Sequence, residues 1–182
     1  MKVKACRHCK TAFTPARPLQ VVCSPMCAAR KVKADKTAEK QQIKARKEAI
    51  KTIPELIKEA QIEFNKFIRT RDDGKPCISC GKPPGDLSGL HAGRDAGHYR
   101  STGTASHLRF DERNCHAQCV QCNQWKAGNA VDYRIGLVAR IGLDAVEALE
   151  ADNEVIRWDR DILRQIKTIY RAKLRALRKE TT

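Results

Sequence analysis

Aromatic residues are scarce in this chain, with two Trp, three Tyr and four Phe among 182 residues, or 5% of the whole. Beside 31% charged residues, so little aromatic material excludes one large core and predicts small modules, some stapled by metal rather than by burial. Long uncharged apolar runs are absent, no secretory apolar stretch follows Met1, and no lipidation motif is present. These absences argue against a membrane partner and predict a soluble, cytoplasmic protein. Acid is short relative to base. Against 36 Lys and Arg stand 21 Asp and Glu, a formal charge of +15 with a pI near 9.7. Such an excess goes beyond what solubility needs and reports a polyanionic partner, nucleic acid before an anionic membrane surface.

Cysteine, by contrast, is plentiful. Nine thiols would stay reduced in a cytosol, so zinc thiolate sites are a better reading than a disulfide framework. Cys6, Cys9, Cys23 and Cys27 make one foursome, Cys77, Cys80, Cys119 and Cys122 make another, and Cys115 is left over as a small thiol. The implied cofactor is Zn²⁺ at two structural sites. Zn²⁺ with four thiolates carries about −2, so two sites bring the charge from +15 to about +11 (15 − 4). The first foursome, with Pro15, Pro18 and the run Leu19–Val22 between its pairs, suits a zinc ribbon too small to fold by burial alone. Free thiols, or His8 replacing one ligand, are the alternatives.

Ser24-Pro25 reads as a helix start, because Ser caps free amides and Pro loses no hydrogen bond at the first helical position. The stretch from Ala28 to Ile53 that follows is basic with almost no apolar face, so the helix either stays solvated or lies along phosphates. Arg30, Lys33, Lys40, Lys44 and Lys47 are its candidate DNA contacts. After Pro54 the pattern from Glu55 to Arg69 places Leu56, Ile57, Ala60, Phe64, Phe67 and Ile68 on one helical face, which is core rather than site. A short helix is expected from Cys122 to Gly128, and Asp144-x-x-Glu147 resembles a capping box for another. A long amphipathic helix from Val155 to Lys179 closes the chain, packing on the other helices or against a second subunit. His91 and His107 read as ordinary loop histidines, and Trp158 as packing. Trp125 packs as well, or touches unpaired bases.

One constellation carries chemistry. His98, Asn114 and Asn123, framed by Cys77-x-x-Cys80 and Cys119-x-x-Cys122, resemble the HNH (ββα-metal) nuclease motif in its four-cysteine form. The wider string "DAGHYRS…LRFDERNCHAQCVQCNQWKAGN", with the N-terminal "CRHCKTAF…VVCSPMCAARK", resembles the NinG (Rap) recombination proteins of lambdoid phages over most of the chain. The fold class expected is α+β, mainly α: a zinc ribbon at 1–27, basic and amphipathic helices at 28–71, an HNH module with a four-cysteine zinc at 72–130 and C-terminal helices at 131–182. The resemblance implies a recombination endonuclease of the host cytoplasm that cuts branched DNA, Holliday junctions and D-loops, by metal-dependent hydrolysis. It also implies a homodimer, since resolution needs two cuts, and contacts with other phage recombination proteins.

By the resemblance, His98 is the general base and Asn114 orients it through a loop hydrogen bond. Zinc fixes the start of the helix, so Asn123, one residue past a ligand, can offer its oxygen to Mg²⁺ or Mn²⁺. Many motifs of this type carry Asp just before the His, where this chain has Gly97. Asp95 or His116 could supply the missing contact; alternatively His98 is itself a metal ligand and another group activates water. Arg100, Arg109 and Lys126 are candidate phosphate contacts. Two other readings stay open: a non-catalytic zinc protein that binds branched or single-stranded DNA and recruits recombination factors, and a site-specific HNH endonuclease, for which no base-reading module is visible.

Overall fold

A computed structural model of the chain describes residues 2–83 and 93–180; His91 lies outside them. The chain divides into two compact units, Met1–Lys51 and Thr52–Thr182. This boundary falls between the two helices that the sequence groups together at 28–71.

In the first unit, strands β1 (Lys4–Ala5) and β2 (Ala12–Phe13) pair antiparallel, Lys4 opposite Phe13. Helix α1 (Pro25–Ile50) starts where the sequence places it, with the Ser24 hydroxyl accepting the Cys27 N–H at 3.2 Å. Of its residues only Cys27 is buried, so α1 has no packed face and its basic side chains stand in solvent. Cys23 and Cys27 lie at the N-terminus of this helix rather than on a second β-knuckle. The foursome is therefore knuckle plus helix, not the expected ribbon.

The second unit is built on two helices that run in the same direction, α2 (Ile53–Arg71) and α5 (Arg160–Glu180). Pro54 does not interrupt α2. It sits in the first turn, where no N–H is missed, and Glu55 reaches back to the Thr52 N–H at 2.7 Å. Leu56 and Ala60 pack on Leu163, and Phe64 meets Tyr170 edge-on at 4.8 Å. Lys167 pairs with Glu59 at 2.6 Å and Arg171 with Glu63 at 3.2 Å. Within the chain α5 buries Leu163, Tyr170 and Leu174, while Ile162 and Ile169 of its expected apolar stripe stay 39% and 49% exposed. The helix begins at Arg160 rather than Val155, which is 93% exposed. Asp159 supplies the start, its carboxylate accepting the Asp161 and Ile162 N–H groups at 2.8 and 2.9 Å.

Strands β3 (Arg94–His98) and β4 (Cys115–Cys119) pair antiparallel in the register Asp95–Gln118, Gly97–His116 and His98–Cys115. A 3₁₀ turn (Ser106–Phe110) lies between them, and a π-helical turn (Gln121–Trp125) follows β4. Helices α3 (Ala130–Ile141) and α4 (Leu143–Ala151) complete the unit. Because side chains alternate along a strand, the ribbon has two faces. Ala96 and Cys115 pack with Phe64 of α2; on the opposite face the Tyr133 hydroxyl of α3 donates to the Gly97 carbonyl at 2.8 Å. Asp72, at the end of α2, ties helix to ribbon by accepting the Ala117 N–H at 3.0 Å. Burial alone would raise its carboxyl, but Arg71, the Ala117 N–H and Lys75 hold it well below the usual carboxylate range. Asp144 caps nothing: α4 starts one residue before it, after Gly142 with φ 86°.

Candidate functional site

The four sulfurs of each foursome lie within 4.8 Å of one another. Pairs stand at 3.6 Å (Cys9–Cys23), 3.5 Å (Cys23–Cys27) and 3.8 Å (Cys80–Cys119). A tetrahedral zinc with sulfurs at about 2.3 Å needs sulfur separations of about 3.8 Å, while a disulfide needs about 2.0 Å. The donor sets therefore fit zinc.

Both foursomes use one construction. Cys6 N–H donates to the Thr11 carbonyl at 2.9 Å, as Cys77 N–H does to Lys82 at 2.9 Å. Lys10 and Gly81, each just after the second Cys, have φ of 63° and 70° and close on the Cys6 and Cys77 carbonyls at 2.9 and 3.0 Å. Cys23 N–H points at Cys6 Sγ at 3.4 Å, and Cys119 N–H at Cys77 Sγ at 3.3 Å. Such N–H···S bonds favour the thiolate a metal needs. The repeat is in backbone hydrogen bonds and does not show in the residues themselves. The residue after the last ligand differs, Ala28 in the first foursome and Asn123 in the second, so only the second adds an oxygen donor there.

Asn123 Nδ2 donates to Asp95 Oδ2 at 2.8 Å, and Gln124 Nε2 reaches the same oxygen at 2.8 Å. The ribbon explains why Asp stands at 95 and Gly at 97. Both positions share one face, but a Cβ on Gly97 would lie 2.2 Å from Gln118 Oε1. Gln118 is fully buried and anchored to Ser79 at 2.7 Å and to the Gly128 carbonyl at 2.6 Å. A side chain at 97 has no room; the carboxylate is available one step back on the same face. Asp95 and Asn123 together are two oxygen-bearing side chains of the kind Mg²⁺ and Mn²⁺ take.

His98, at the end of β3, faces the other way and stacks on Phe64 with ring centroids 6.0 Å apart. Its Nε2 lies 2.9 Å from the Arg109 carbonyl, which can only accept, so Nε2 carries the proton and Nδ1 keeps its lone pair. Burial pushes the imidazole below its usual range; the bond to the Arg109 carbonyl opposes this and the Arg109 charge adds to it. His98 is thus a neutral ring with an unprotonated Nδ1, 3.8 Å from the Cys115 sulfur. Burial pushes that thiol far up, so it stays S–H and is no nucleophile.

Asn114 is fully buried. Its Oδ1 accepts Arg100 N–H at 2.8 Å, and its Nδ2 donates to the Arg100 and Leu108 carbonyls at 3.0 and 3.2 Å. It pins the chain two residues after His98 to the 3₁₀ turn whose Arg109 carbonyl holds the imidazole. The structure therefore forms two groups. Asp95 sits with Asn123, His98 with the loop that Asn114 braces, and the odd spacing of 95 and 98 sends their side chains off opposite faces.

The other candidates fall in different places. His116 is 4% exposed beneath Tyr133, its Nδ1 without a hydrogen-bond partner, and burial with the nearby Arg71 charge pushes it down to about 3. Arg100 donates to the Leu149 carbonyl at 2.9 Å, the Asn153 amide oxygen at 2.8 Å and the Asp152 carbonyl, closing the end of α4. Arg109 donates to Gln61 at 3.3 Å and to the Thr102 carbonyl at 3.1 Å. Lys126 and the α1 residues Arg30, Lys33, Lys40, Lys44 and Lys47 are exposed. His107 bonds Asp152 at 3.1 Å and is structural. Sequence reasoning did not single out Gln118 or Gln124; polar residues flanking a predicted ligand were the available signal. Among the described residues, no helix is long and apolar enough to cross a membrane.

Comparison with known proteins gives a consistent result. The family described as Bacteriophage Lambda NinG protein matches residues 1–180. "Protein ninG" of Salmonella phage P22 is 43% identical over 94% of this chain and 91% of its own. The proteins of that name from Escherichia phage 933W and Escherichia phage lambda are each 42% identical, over 96% and 94% of this chain and 94% and 90% of theirs. No solved structure matches the chain.

Proposed function

The chain belongs to the NinG family of phage proteins, and from that premise and the ribbon's geometry we propose a metal-dependent endonuclease that cuts branched DNA, such as Holliday junctions and D-loops, in phage recombination. The observation that carries the reading is the Asp95–Asn123 contact at 2.8 Å, placed one residue beyond a four-cysteine group and on the same ribbon as a neutral His98. In this reading Asp95 takes the place of the carboxylate that HNH motifs carry at the position of Gly97.

Each residue has a separate task. Cys77, Cys80, Cys119 and Cys122 would hold zinc, which would fix the π-helical turn and with it Asn123. Asp95 and Asn123 would hold Mg²⁺ or Mn²⁺, the amide turning its oxygen toward the ion in place of its present N–H contact. When bound, the ion offsets charge on the scissile phosphate and on the departing 3′ oxygen. In this reading His98 Nδ1 takes the proton of the attacking water once its contact with the buried Cys115 S–H at 3.8 Å opens, its ring held by the Arg109 carbonyl and by the loop that Asn114 pins. Exposed cations of α1 and Lys126 supply affinity along phosphates without base readout, so binding weakens steeply with salt. Two coordinated cuts require two copies of the site, which a homodimer provides.

One observation favours a second reading, a non-catalytic zinc protein that binds branched DNA. Asp95 and His98 leave opposite faces of the ribbon, with their Cα atoms about 10 Å apart for three residues of strand. Incubating a labelled four-way junction with the protein and Mg²⁺ or Mn²⁺ separates the two. The nuclease gives paired nicks, lost in His98→Ala while junction binding persists; a junction bound but uncut in every metal supports the second reading.

A further inference from the structure

The π-helical turn carries a side chain that the hydrolytic reading leaves unused. Trp125, two residues after Asn123, is 65% exposed, an unusual place for the largest apolar ring in a chain with two Trp. The other, Trp158, is part-buried, packs on Phe110 and donates to the Ser106 hydroxyl at 3.1 Å. Trp125 lines a hollow of about 250 Å³ with Lys82, Cys119, Val120 and Gln121.

The lining narrows the occupant. An indole offers a flat stacking surface, the Gln121 carboxamide offers donor and acceptor, and Lys82 brings a positive charge to the rim. Lys126, next to Trp125, is exposed, and the chain as a whole carries +15. A π face, an amide and ammonium groups fit a planar heterocycle that bears hydrogen-bonding edges and is tethered to phosphate. The hollow is small beside the roughly 300–1,000 Å³ of drug-sized ligand sites, which suits a single ring system rather than a folded partner. A base inside a duplex cannot enter, because its faces are covered by neighbours; an unstacked base can.

We propose that this hollow binds one unpaired nucleobase of DNA, stacked on Trp125, with the adjoining phosphate near Lys82 and Lys126. The proposal rests on the reading that the chain acts on DNA, and adds to it a means of preferring branched over linear duplex: strand exchange points and D-loops present unpaired bases. Base stacking on an aromatic side chain is tolerant of sequence, so the preference is for strand state rather than base identity.

The test is equilibrium binding of a fluorescently labelled twelve-nucleotide thymidylate strand and of a duplex of equal length, without added Mg²⁺ or Mn²⁺, to the full chain and to Trp125→Phe and Trp125→Ala. Trp125→Ala is expected to bind the single strand about tenfold more weakly, Trp125→Phe to keep most of the affinity, and duplex binding to stay unchanged in both. In the unaltered protein the strand, and not the duplex, shields tryptophan fluorescence from acrylamide; this readout does not depend on a variant folding. Equal single-strand affinity of Trp125→Ala and parent, or equal shielding by strand and duplex, overturns the pocket and leaves the nuclease reading standing. A parent that binds neither DNA overturns both.

Discussion

Asn123 and Asp95 come from elements 28 positions apart, yet their side chains meet at 2.8 Å because a four-cysteine group ends the β-ribbon where the π-helical turn begins. The amide is positioned by the four-cysteine group beside it and the carboxylate by strand register, two independent constraints on one contact. Changing either residue should therefore abolish metal-dependent cleavage without disturbing the fold. Asp95→Ala and Asn123→Ala are expected to lose at least about a hundredfold in rate, the scale of removing one preorganised charge-stabilising group, with zinc content and junction affinity at parental levels. Retained cleavage with both side chains removed would exclude them from the site.

Gly97 exists to leave room for Gln118. Gly97→Ala should cost about 1–3 kcal/mol, the scale of overpacking a close-packed interior. Gln118→Ala also destabilises, but the double variant should cost clearly less than the sum of the two, since truncating Gln118 removes the obstacle. Denaturant midpoints of the four proteins measure this, and strict additivity would show that the clash at 2.2 Å is relieved some other way.

Much of this was legible in the residues. The two metal foursomes, the Ser24 cap, the core face of α2 and the amphipathic C-terminal helix all follow from spacing, because thiolate geometry and helical period act locally. Helix α3 falls in the stretch expected to be helical, 131–182, but its bounds were not read, although Tyr133 and Leu137 bury its inner face. Four residues apart, they give too short an apolar period to stand out without the α4 and Ile78 surfaces they fill. Val155 looked like part of the last helix because apolar spacing ignores the Asp159 cap. The pairing of Asp95 with Asn123 and the role of Gly97 depend on strand register, which no run of residues displays.

His116 gives the fold a dependence on pH. Its folded pKa lies at about 3, against 6.5 for an ordinary imidazole, so the folded chain binds fewer protons between those values than the unfolded chain. The stability it contributes is present above pH 6.5 and is lost as pH falls toward 3, at up to about 1.4 kcal/mol per pH unit. Between pH 7 and pH 5 this amounts to about 2 kcal/mol. In His116→Leu the stability difference between those pH values should shrink by about that amount, while acid loss of the zinc thiolates is common to both proteins and cancels. An unchanged difference would place the imidazole in contact with water.

Lys10 occupies the left-handed position that Gly81 takes in the second knuckle, φ 63° against 70°. A side chain there costs about 1 kcal/mol, so Lys10→Gly should tighten the first knuckle and slow the loss of its zinc to a chelator. Gly81→Lys should do the reverse at the second. Faster zinc loss from Lys10→Gly would show that the lysine side chain contributes more than its backbone strain removes.

The most direct test of the account is a crystal of the protein soaked in Mn²⁺ and measured for anomalous scattering. An ion bound by Asp95 and Asn123 oxygens, separate from two zinc ions on the cysteine foursomes, is the result expected. Zinc at both foursomes with no manganese between Asp95 and Asn123, at Mn²⁺ concentrations that support cleavage, would contradict it.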